Sequence, residues 1–136
     1  MALDRSILGD GPYPVTGPLA VAARAAFVGA ILAIVLAVFL PPNLVPDFVY
    51  SVHLQHFAAF YVAALLGLTA MARTRLRVVA LGFFLFASLL EASHLLAGAD
   101  MQPLIDNWVA DLGGLAAAFA PVVAERFRRR LKRPGS

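Results

Sequence analysis

The sequence has no cysteine, which excludes a disulfide framework and a thiolate metal site and leaves His, Asp and Glu as the available metal ligands. Charge is scarce. Asp, Glu, Lys and Arg supply 14% of the 136 residues, against about a quarter in a typical soluble domain. Hydrophobic residues reach 61%. So apolar a chain lacks the polar surface that a water-facing fold needs, and it reads as an integral membrane protein. Lys and Arg are also missing from long stretches. They gather at Arg5 and Arg24, at Arg73, Arg75 and Arg77, and between Arg126 and Arg133. The net charge of +3 therefore flanks apolar segments instead of covering a folded surface, and no nucleic-acid partner is expected.

Four apolar runs fill the space that charge leaves, at about 19–40, 48–71, 77–97 and 104–124, each near the ~20 residues a helix needs to cross the hydrocarbon core. The expected fold class is all-α, an integral membrane four-helix bundle. A Gly- and Pro-rich lead-in over 1–18 precedes it and a basic tail over 125–136 follows. The connections "PPNLVPD" and "LAGADMQP" carry no Lys or Arg, whereas both termini and "RTRLR" do. By the positive-inside rule both termini and the middle loop face the cytoplasm, and the chain is multi-pass in the plasma (inner) membrane. Membrane lipids are then its first partners.

An ionisable side chain inside a span costs roughly 2.5–3.5 kcal/mol on insertion scales, so each one asks for a partner, a wet cavity or a function. At 1.5 Å per residue, His53 and His56 fall roughly 8 and 12 Å below the outer end of the second span, Glu91 and His94 roughly 9 and 5 Å below that of the third, and Asp106 and Asp111 roughly 3 and 10 Å into the fourth. All lie in the outer leaflet. His53 with His56, and Glu91 with His94, are i,i+3 pairs that share a helix face. Asp106 and Asp111 differ by about 140° around theirs, so one faces the bundle and the other does not. The expectation is an outward-opening polar pocket of His53, His56, Glu91, His94 and Asp111, with Asp106 as the N-terminal cap of the last helix. Gly113 and Gly114 permit close approach of a neighbouring helix. Blander roles stand beside these: His53 hydrated at the interface, His56 satisfied by one interhelical hydrogen bond, and Trp108 as an interfacial or bundle aromatic. The serines lie in no nucleophile motif.

These residues resemble the pattern of the VanZ-like membrane proteins over about 47–120. Asp47 precedes "HFAAF" from His56; "LLEASH" carries Glu91; "DNWVADLGG" carries Asp111. The chain departs from that pattern in having His94 in place of a usual Gln, no arginine in "AGADMQP", and one extra residue before Trp108. The resemblance implies a four-helix VanZ-like domain over about 19–124 and a connection to the cell envelope.

Three functions are compatible with the residues. The pocket binds a lipid-linked or envelope ligand without turnover; or the chain is a small accessory subunit of a larger membrane complex; or His56, Glu91 and His94, with Asp111 nearby, hold a divalent metal and act on a lipid headgroup. Glu-x-x-His with a further imidazole suits zinc or iron. Catalysis is left open by the sequence.

Overall fold

The structure, a computed structural model, describes residues 17–46 and 50–132. Residues 1–16 of the expected lead-in over 1–18, Asp47 and the last four residues of the basic tail lie outside the described residues. The all-α expectation holds. Four helices, α1 (Pro18–Phe39), α2 (Val52–Ala70), α3 (Leu76–Leu96) and α4 (Met101–Leu131), are joined by short segments, one of them bearing a 3-10 turn at Pro42–Leu44. There is no strand among the described residues. All four helices are long and apolar enough to cross a membrane.

Local chemistry explains most of the ends. Ser51 caps α2, its Oγ accepting a hydrogen bond from the backbone N–H of Leu54 at 3.3 Å. Pro18 opens α1 at a position whose N–H would be unpaired anyway. At the far end of α3, Gly98 adopts φ +91°, a left-handed conformation that costs glycine little. Its N–H donates to the Leu95 carbonyl and that of Ala99 to the His94 carbonyl. The chain reverses within four residues, and α3 and α4 become an antiparallel hairpin.

Three helix ends depart from expectation: α2 begins at Val52 rather than about 48, and α4 differs at both its ends. α4 begins at Met101 rather than 104, because Pro103 falls in its first turn, where the missing N–H costs nothing. It also runs past 124 to Leu131, through Pro121. The fall in hydropathy after Ala124 ends the apolar stretch but not the helix, since Arg, Leu and Ala are good helix formers and Glu125 pairs with Arg128 and Arg129 one turn on.

The core is a set of helical stripes. Phe60, Ala63, Ala64 and Gly67 face inward on α2; Val79, Phe83, Ala87 and Leu90 on α3; Leu104, Leu115, Ala118 and Phe119 on α4. Phe83 meets Phe119 edge-on at 6.4 Å and Phe27 of α1 at 6.0 Å, an arrangement favoured by the ring quadrupoles. The most extensive interface is that between α2 and α4; α2 also packs on α1, and α3 on α4. α1 has no buried residue and lies against the core along Phe27, Ala30, Ile31, Ile34 and Val38, chiefly on α2, with Phe27 reaching Phe83 of α3.

Candidate functional site

The inward stripes carry three ionisable residues with them. His56 is one turn before Phe60, Glu91 one turn after Ala87, and Asp111 two turns after Leu104 and one before Leu115, so each lies on the face that packs the core. Asp111 is wholly buried and Glu91 is 7% exposed; His56 is half-buried. The approach of α2 to α4 brings them together. A Cβ on Gly114 would collide with the Phe57 carbonyl oxygen and lie 3.0 Å from the Tyr61 nitrogen, so only glycine lets the two backbones come so near. Asp111, three residues before Gly114, is thereby set against His56, which adjoins Phe57.

The His56 Nδ1–H donates to Asp111 Oδ1 at 2.9 Å. Glu91 Oε1 is 3.8 Å from the same nitrogen, and Glu91 Oε2 is 3.5 Å from His94 Nδ1. Asp111 Oδ2 is buried with no hydrogen-bond partner among the described residues. Buried polar atoms of that kind are uncommon, because the desolvation they suffer goes uncompensated. The cluster therefore ends on an acceptor that lacks a donor.

Beside it lies an open apolar groove of about 220 Å³ between α3 and α4, lined by Leu95, Met101, Leu104, Ile105 and Trp108 together with Ser88 and Glu91. Ser88 and Trp108 had no place in the expected pocket. Here the Trp108 indole N–H donates to Ser88 Oγ at 3.1 Å, and Ser88 Oγ donates to the Phe84 carbonyl at 2.8 Å, tying the two helices together along the groove. The signal was available in that Ser88 stands three residues before Glu91, on its helical face.

Of the five residues expected in the pocket, His56, Glu91 and Asp111 converge and His94 reaches the cluster's rim through Glu91. His53 does not join them: it occupies the exposed first turn of α2 and has no ion pair or hydrogen bond among the described residues. Asp106 is not the cap of α4. The helix starts five residues earlier, after Asp100, and Asp106 is exposed, its Oδ1 accepting a hydrogen bond from Gln102 at 3.2 Å. The residues able to share an ion include His56 and Glu91 of the expected set, with Asp111 in place of His94 as the third. His56, Glu91 and Asp111 offer ligand atoms within 4.8 Å of one another, whereas His94 reaches only the far oxygen of Glu91. Metal–ligand bonds of about 2.0–2.2 Å keep ligand atoms within about 4.4 Å of each other, so a modest contraction would suffice for an ion.

No protein-family model matches the sequence, and no curated protein or solved structure matches it.

Proposed function

We propose that this chain is a VanZ-like cell-envelope protein of the plasma (inner) membrane, with both termini cytoplasmic, whose polar cluster binds the head of an envelope amphiphile while its apolar part lies in the groove between α3 and α4. One observation carries this reading: Glu91 belongs at once to the cluster of His56, His94 and Asp111 and to the lining of the apolar groove. Polar head and apolar tail have adjoining places. The groove is smaller than the roughly 300–1,000 Å³ of a site that engulfs a drug-sized molecule, so it suits one chain or ring of the ligand. The head chemistry follows from the acceptors. Two carboxylates, one with an unpartnered oxygen, favour a hydroxyl, amide or ammonium over a phosphate, and the helix ends nearest the cluster carry no arginine.

Native mass spectrometry of the protein extracted from membranes in mild detergent tests this. The wild type should retain an amphiphile that Asp111→Asn and Glu91→Gln lose; a wild-type spectrum free of any bound species refutes it. A second reading, a metal-dependent enzyme acting on a lipid headgroup, is favoured by the three ligand atoms lying within 4.8 Å. Elemental analysis giving about one zinc or iron per wild-type chain, absent from both variants, would select it.

A further inference from the structure

The opposite end of the bundle holds a second concavity, of about 480 Å³, where the start of α3 meets the final turns of α4. At 1.5 Å per residue the 31 residues of α4 measure about 46 Å, beyond the roughly 30 Å of a hydrocarbon core, whereas the 21 residues of α3 just span it. The surplus of α4 is its arginine-rich end. Val123, Arg126, Phe127 and Arg130 recur at i, i+3, i+4 and i+7, which makes them one stripe, and that stripe faces Arg75, Leu76 and Arg77 across the groove.

Four guanidinium groups thus line one cleft with no carboxylate among its lining residues. The nearest acid in sequence, Glu125, lies on the other side of α4 and is engaged by Arg128 at 2.8 Å and Arg129 at 2.7 Å. Among the described residues, Arg75, Arg77, Arg126 and Arg130 form no ion pair. Mutual repulsion within the cleft is relieved by an anion, and planar guanidinium groups match phosphate oxygens in a bidentate way that an ammonium does not. The apolar lining decides between free phosphate and lipid. Val123 is 52% and Phe127 64% exposed, apolar surface that a small soluble anion would leave wet and acyl chains would cover.

We propose that this groove is a binding site for the phosphate headgroup of an anionic phospholipid, held by Arg75, Arg77, Arg126 and Arg130 with its acyl chains along Leu76, Val123 and Phe127. The site is separate from the polar cluster and does not depend on what that cluster binds. Lipid titration of the full-length protein by native mass spectrometry tests it, with phosphatidylglycerol and phosphatidylcholine as probes and inorganic phosphate as competitor. Phosphatidylglycerol should be held at least tenfold more tightly than phosphatidylcholine. Arg75→Gln with Arg126→Gln should lower its affinity roughly tenfold or more, while Arg128→Gln with Arg129→Gln, which removes the same charge from the other face, should lower it less than about threefold. Arg126→Lys, which keeps the charge and the fold, should retain the preference but weaken it. Equal losses from the two double variants would mean diffuse attraction to a basic end and would overturn the site, as would equal retention of both lipids. Displacement of the lipid by millimolar inorganic phosphate would overturn the lipid as ligand.

Discussion

Asp106 and Asp111 sit five positions apart on one helix, and geometry separates their fates: one is exposed and bonded to Gln102 a turn earlier, the other wholly buried against His56. The first is worth little, since an exposed i,i+4 contact contributes roughly 0.2–0.5 kcal/mol. The second shields a polar interaction from water, and its loss leaves the His56 Nδ1–H without its acceptor. Asp111→Ala should destabilise the protein by roughly 1–2 kcal/mol and Asp106→Ala by no more than about 0.5 kcal/mol, measured by reversible unfolding in mixed micelles. Function should follow the same order: Glu91→Ala should abolish retention of the bound amphiphile and Asp106→Ala should leave it intact. If Asp106→Ala did the greater harm at equal expression, the cluster would not be the functional centre. The burial of Asp111 was half legible beforehand. Its 140° offset from Asp106 and its greater depth placed it, and not Asp106, in the pocket; the Leu104, Asp111, Leu115, Ala118 stripe supplies the reason, because a buried heptad neighbour fixes the helix rotation.

Among the helices, the pairing of α2 with α4 does most to create the site. α2 and α3 are neighbours in sequence, yet their shared surface is small beside that between α2 and α4. The notch at Gly114 accounts for this: it admits the α2 backbone at Phe57 and Tyr61 to a distance that a side chain would forbid. Gly114→Ala should therefore force α2 and α4 apart at backbone level, with a cost of roughly 1–3 kcal/mol and loss of the His56–Asp111 hydrogen bond. Gly82→Ala is the matched control, with nothing within 4 Å of the added carbon, and should stay within about 1 kcal/mol of wild type. The same unfolding measurement reads both, and a neutral Gly114→Ala would show that the close approach is not what holds the cluster.

At the scale of the whole molecule, the ionisable residues divide the bundle into two ends. One bears His56, Glu91, His94 and Asp111 near the α3–α4 turn; the other bears the arginines of the α2–α3 connection and of the last turns of α4, with Glu125 among them. The orientation proposed from that distribution puts the arginine end in the cytoplasm. A chain without cysteine is a ready background for checking it. With Ala99→Cys in the α3–α4 turn and Thr74→Cys in the α2–α3 connection, a membrane-impermeant maleimide applied to intact cells should label the first and spare the second until the membrane is permeabilised. The reverse pattern would invert the topology and turn the polar cluster toward the cytoplasm.

Hydropathy summed over some twenty residues, with the short-range chemistry of Ser51 and Pro18, was enough to specify four helices and most of their ends, because those preferences act within a turn or two of the chain. The end of α4 escaped this, since a drop in hydropathy marks where the apolar stretch stops and not where helical hydrogen bonding does. Which ionisable groups would meet could not be read in the same way. His56 and Asp111 are 55 residues apart, and their contact depends on how α2 and α4 rotate and how closely they approach. Helix spacing and rotation are set by packing across the bundle, so the narrowing of the five expected pocket residues to the trio of His56, Glu91 and Asp111, the exposure of His53 and the cleft of four arginines emerge only when the helices are assembled.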